Sequence, residues 1–258
     1  NSAFGDNALY ANTTASNNTA MGFQALLSNT TGTQNTALGT YALDAVTTGN
    51  DNTALGYISL SSATGSQNTA VGSRALQDMS TGDDNTAVGY HALHTNTTAS
   101  DNTAIGSHAL YLNTTGTANT ALGKQTLNSN TTASNSTALG YRALYNNTGA
   151  ENTAVGSNSL TTNSTGTKNA AFGAWSLRYN TTGDFNTATG YQALTANTTA
   201  SSNTAVGYNT LQANTTGANN TAVGSLALDA NTTGNKNCAF GDGALTDNTT
   251  GSHNIAIG

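Results

Sequence analysis

Large apolar residues recur along this chain at a fixed interval and in a fixed context, Asn-Thr-Ala-(Val/Leu/Ile/Met/Phe)-Gly, with a Leu four residues after the Gly. Aligned on that glycine, the segments run from Gly5, Gly22 and Gly39 through to Gly241 and Gly258, seventeen residues apart with two intervals of sixteen. The consensus is N-T-A-[V/L/I/M/F]-G-[Y/S]-x-[A/S/T]-L-x-x-N-T-T-G-x-x. Numbering each coil from its first Asn, position three is Ala and position five Gly in all sixteen copies; position nine is Leu in all fifteen copies that reach it. Position four is large and apolar everywhere except Thr189. Charge is confined to positions six, seven, ten, eleven, sixteen and seventeen, which separates wet columns from dry ones.

A 17-residue unit is too short for a pair of helices, and Asn, Thr and Gly are poor helix formers. Short extended runs broken by Gly and Asn fit one turn of a stacked-strand coil, with about 4.8 Å between neighbouring strands. The pattern therefore predicts an all-β fold: a parallel β-solenoid, or β-roll, of about fifteen 17-residue coils. Its rise gives a rod of roughly 70 Å. The array spans residues 1–258 without interruption and leaves no room for a second domain. It runs to both ends of the chain, as expected of a segment of a longer fibre or a unit whose ends neighbours cover.

In such a coil each column becomes a ladder of like side chains. The ladder residues are typified by Ala20, Gly22, Leu26 and Asn35 in one stretch, and by Ala87, Gly89, Leu93 and Asn102 in another. Stacked Asn amides can hydrogen-bond along the axis. Position fifteen is Gly, or Ala at Ala15, Ala99, Ala133 and Ala200, so that corner needs a small residue without demanding positive φ.

If the large apolar residues at positions four and nine point into the coil, alternation sends their small neighbours at three and eight outward. An outward Ala column never replaced by a polar residue calls for a partner surface, and apolar burial within one coil falls short of the entropy of ordering it. A homo-oligomer is the expectation.

Composition narrows the partners. Charged residues make up 7% of the chain against about 25% in ordinary domains, and Lys and Arg stand singly within a net charge of -6. No basic stripe offers itself to a phosphate backbone, so nucleic acid is not an expected partner. No apolar run approaches the roughly 18 residues of a spanning helix, so membrane insertion is not expected either. Cys238 has no cysteine partner in the chain and stands where most coils have Thr.

The segments Asn85-Thr-Ala-Val-Gly89 and Asn102-Thr-Ala-Ile-Gly106 resemble the head repeats of trimeric autotransporter adhesins. The longer N-T-A-x-G-Y-x-A-L-x-x-N-T-T-G unit is similar to repeats of phage and phage-like tail-fibre proteins, and the likeness covers all 258 residues. The coil is longer than the usual adhesin-head repeat by the N-T-T-G insertion. The resemblance implies a homotrimer of β-rolls, or an end-to-end assembly, outside the cell or on a cell or virion surface, binding glycans or host receptors.

The sequence holds no catalytic constellation, no expected cofactor and no expected metal. His91, His94, His108 and His253 fall in wet columns, and only His91 and His94 are close in sequence. Aromatics gather at position six, with Tyr57, Tyr90, Tyr141, Tyr191 and Tyr208 as candidate surface-binding residues; Trp175 and Tyr111 lie in nearby columns. Such rings beside Asn and Thr suit sugar contact, and they equally suit the rim of a subunit interface. An alternative function is ice binding, which would use Thr ladders at positions two and thirteen or fourteen on a flat face.

Overall fold

The computed structural model describes all 258 residues, Asn1–Gly258, as β-strands and turns with no helix. Two compact units, Asn1–Thr132 and Ala133–Gly258, make up the chain. The first carries β1 (Ser2–Phe4), β2 (Thr19–Met21), β3 (Thr36–Leu38), β4 (Thr53–Leu55), β5 (Thr69–Val71), β6 (Thr86–Val88), β7 (Thr103–Ile105) and β8 (Thr120–Leu122). The second carries β9 (Thr137–Leu139), β10 (Thr153–Val155), β11 (Ala170–Phe172), β12 (Thr187–Thr189), β13 (Thr204–Val206), β14 (Thr221–Val223), β15 (Cys238–Phe240) and β16 (Ile255–Ile257). The fold is an all-β parallel solenoid with one three-residue strand per turn of about seventeen residues.

Within each unit consecutive strands pair in parallel and in register, so that Ala20 lies opposite Ala37 and Ala188 opposite Ala205. The sixteen-residue coil leading to Gly72 keeps that register, with Ala54 opposite Ala70. Its missing residue comes out of the corner, where Ala63-Thr64-Gly65 replaces Asn-Thr-Thr-Gly, and not out of the strand.

Pairing between coils extends well beyond the strands. Tyr41 N–H donates to Phe23 O of the preceding coil at 3.0 Å, and Leu43 N–H donates to Ser59 O of the following coil at 3.1 Å. To alternate in this way, the residues at positions seven, nine and seventeen adopt left-handed backbone, as at Tyr41 (φ 57), Leu43 (φ 52) and Asp51 (φ 57). A non-glycine residue there costs about 1 kcal/mol or more, so the conformation persists only because hydrogen bonds to both neighbouring coils hold it.

Glycine at position five is required on two counts. Gly89 sits at φ 132, and a Cβ there would lie 2.8 Å from the backbone carbonyl carbon of Gly106. At position fifteen no glycine has positive φ, in keeping with the Ala residues found in that column.

Six columns face inward: Asn at one, Ala at three, a small residue at eight, Leu at nine, Asn at twelve and Gly or Ala at fifteen. Leu26, Leu93, Ala87, Asn35 and Asn102 are wholly buried, and Ala20 nearly so. The two Asn columns join the coil to itself and to its neighbours. Asn35 Nδ2 donates to Gly49 O across its own coil at 2.7 Å, while its Oδ1 accepts the Asn52 N–H at 3.0 Å. Asn102 repeats this, with Gly116 O at 2.9 Å and the Asn119 N–H at 3.0 Å. Position-twelve amides form a ladder in which Asn180 Nδ2 donates to Asn163 Oδ1 at 2.8 Å and Asn197 Nδ2 to Asn180 Oδ1 at 2.8 Å. Asn85 and Asn96 both donate to Ala99 O at 2.9 Å, so the two columns converge on one corner carbonyl.

The expectation that positions four and nine face inward while three and eight face outward is corrected for three of the four. Ala37 and Ala42 are wholly buried, whereas Leu38 is 42% exposed. Alternation governs only the three-residue strand, where positions two and four point out and three points in. Past Gly5 the left-handed residues break the two-residue period, and positions eight and nine are both buried. A seventeen-residue turn encloses a narrow core, which Leu at nine fills opposite small side chains.

Candidate functional site

The strand face that looks outward is built from positions two and four. In the first unit Met21, Leu38, Leu55, Ile105 and Leu122 keep between 37% and 47% of their surface exposed, and no charged residue occurs in either column. Phe172, Val206 and Phe240 continue the same column in the second unit, with Thr189 as its one polar member. Beside this apolar stripe runs a column of threonines, of which Thr19, Thr36 and Thr53 are exposed. Cys238 occupies the threonine column as a half-buried free thiol.

Threonine at position thirteen behaves differently. Thr30 Oγ1 donates to Thr47 O at 3.1 Å, and Thr181 Oγ1 to Thr198 O at 2.9 Å, so this hydroxyl is spent on joining coils. Position two presents a row of threonines on the sheet, and position fourteen presents a second exposed row at the corner, as at Thr31, Thr98 and Thr115.

The five candidate tyrosines at position six, Tyr57, Tyr90, Tyr141, Tyr191 and Tyr208, are all exposed. In the first unit Tyr41 meets Phe23 at 5.5 Å and Tyr57 at 6.4 Å, edge to face. In the second, Trp175 lies 5.7 Å from Tyr191, which runs parallel to Tyr208 at 5.8 Å. Arg178 stands over Trp175 at 5.1 Å, and Arg142 over Tyr145 at 4.8 Å, so cations cover part of the aromatic surface.

The sequence misses one grouping. His91 and His108, both at position seven of successive coils, stack at 5.4 Å and 12°, with His94 4.6 Å from His91. Tyr90 and Tyr111 close the group, at 4.1 Å from His91 and 5.2 Å from His94 respectively. The expectation that these histidines are wet is corrected for His91, which is only 7% exposed. Its Nδ1 is buried with no hydrogen-bond partner, and so is the Oε1 of Gln77, one coil before His94 in the same column. Ser107 Oγ lies 2.9 Å from His108 Nδ1. Burial, followed by the neighbouring His94, His108 and Arg74, pushes the His91 imidazole down to about 4. Burial also lowers His94, against the opposing pull of Asp78, whose Oδ2 is 3.4 Å from His94 Nδ1.

No group of three His, Cys, Asp or Glu residues is arranged to hold a metal ion, and neither unit contains a cavity. No protein-family model matches the chain, and no curated protein matches its sequence.

Proposed function

We propose that this protein is a non-enzymatic structural element of an extracellular or surface fibre, which assembles with copies of itself through the outward position-four stripe. The observation that carries this reading is the stripe of Met21, Leu38, Leu55, Ile105 and Leu122, open to solvent on a face without charge. A second copy is its natural cover, because an identical coil rise keeps stripe against stripe in register over many coils. A homotrimer is the arrangement that the repeat resemblance favours. In this reading the exposed tyrosines beside that stripe contact glycans or a host receptor, which their exposure beside Asn and Thr supports. Mass measured in solution tests the assembly. The expected result is a multiple of 25.9 kDa that falls to the single chain when Leu38 and Leu55 are both replaced by Lys; a wild-type chain of 25.9 kDa at high concentration contradicts it.

A second reading, ice binding, draws on the exposed position-two threonines alternating with aliphatic side chains on the paired strands. Thermal hysteresis that disappears when Thr36 and Thr53 become Lys would favour it over the fibre.

A further inference from the structure

We propose that His91, His94 and His108 form an acid-sensitive latch in the first unit: a second proton taken up by this cluster opens the coils that carry it, while earlier coils of the same unit stay stacked. The three imidazoles pack within 4.6 Å and 5.4 Å of one another around His91. Around them stand one anion, Asp78, one fixed cation, Arg74, and the neutral rings of Tyr90 and Tyr111.

The cluster has a counter-ion for one proton and no more. A proton on His94 meets Asp78 at 3.4 Å, which offsets part of the effect of burial. A proton on His91 meets nothing, because its Nδ1 is buried without a partner and its charged neighbours include Arg74, another histidine on each side and only one carboxylate. A buried charge without a partner is expelled by opening the structure around it. The histidine backbone carries the left-handed strain common to position seven of every coil, so the charge and not the backbone singles out this place. His91 (φ 55) and His108 (φ 57) both hold left-handed backbone. They are kept there by the hydrogen bonds from His91 N–H to Ser73 O and from His108 N–H to Tyr90 O. Breaking those bonds releases the strain along with the charge.

The sign follows from linkage. With His91 held near 4 against 6.5 when exposed, the open state binds more protons throughout the interval between these values. The closed coils therefore lose stability as pH falls through that interval, and keep it in full above 6.5.

Amide hydrogen exchange on the full chain, corrected for intrinsic rates, tests this. Between about pH 7 and about pH 5, segments spanning residues 73–113 are expected to open about tenfold more, and residues 19–47, which contain no histidine, to stay constant. The variant His91→Gln, His94→Gln, His108→Gln should lose the response and still fold, since Gln24 and Gln77 occupy the same columns. Asp78→Asn, at a surface position, should instead enlarge the response by removing the only anion. An equal response in both segments, a response that survives in the triple variant, or one that Asp78→Asn leaves unchanged or reduces would overturn the proposal.

Discussion

The buried Oδ1 of Asn29 has no hydrogen-bond partner because the residue one coil further on in its column is Val46. Elsewhere that oxygen accepts the next Asn amide, as Asn163 Oδ1 does from Asn180 Nδ2. Val46, Ala63 and Met79 break the ladder in three successive coils, all wholly buried. Asn29 is thus the last member of an interrupted ladder, whereas Asn180 stands within a continuous one.

The same substitution should therefore have unequal consequences at the two sites. Asn29→Val removes an unsatisfied oxygen and stacks Val on Val46. The Asn29 Nδ2 bond to the half-buried Asn12 Oδ1 that it gives up is long, at 3.4 Å, and Gly32 O, the other acceptor, keeps its bond from Asn18 Nδ2 at 2.8 Å, so stability should change by less than about 1 kcal/mol. Asn180→Val strands Asn163 Oδ1 and deprives Asn197 Nδ2 of an acceptor, at a cost of about 2 to 4 kcal/mol. Urea unfolding of the two variants measures the difference.

Glycine to alanine should likewise depend on the column. At Gly89 both the positive φ and the backbone of Gly106 oppose a side chain, and Gly89→Ala should cost more than about 3 kcal/mol. Gly217 has no positive φ, but a Cβ there would lie 2.3 Å from Gly234 O, so Gly217→Ala should also destabilise, by less than Gly89→Ala because it adds no backbone strain and Ala99 and Ala200 show that this corner can adjust to a methyl group. Thermal unfolding ranks the pair.

The inward and outward assignments of the strand can be separated at two adjacent residues. Ala87→Leu forces a large side chain into a filled core and should cost about 2 to 4 kcal/mol. Val88→Thr copies what Thr189 already does in its column and should cost less than about 1 kcal/mol in folding. If position four faced inward, Val88→Thr would be the more damaging change, and denaturant titration distinguishes the two.

How much of this was legible in the sequence depended on whether a residue announced its backbone. The seventeen-residue period, the short extended run in each coil, the stacked Asn amides and the buried Leu column follow from spacing and composition alone, while the burial of the Asn columns does not. The direction of the strand face did not, because the large apolar residue of the strand was taken to point inward, and because alternation was applied to positions eight and nine, where left-handed backbone at Tyr41 and Leu43 removes it. Leu and Tyr give no sign that they will adopt positive φ; only the stacked hydrogen bonds impose it. The histidine cluster went unread, although the period carries its signal. His91 and His108 are seventeen residues apart, so the period itself places one upon the other, although H-x-x-H proximity draws attention only to His94.

In-register stacking is most directly tested by oxidative cross-linking in a Cys238→Ser chain. Thr36 lies opposite Thr53, so a cysteine pair at these two positions should close an intrachain disulfide readily. A pair at Thr36 and Leu55 is offset by two residues along the strand and should not close. Equal cross-linking of both pairs, or closure of the offset pair alone, would contradict the stacking of like residues on which the fold and the proposed assembly depend.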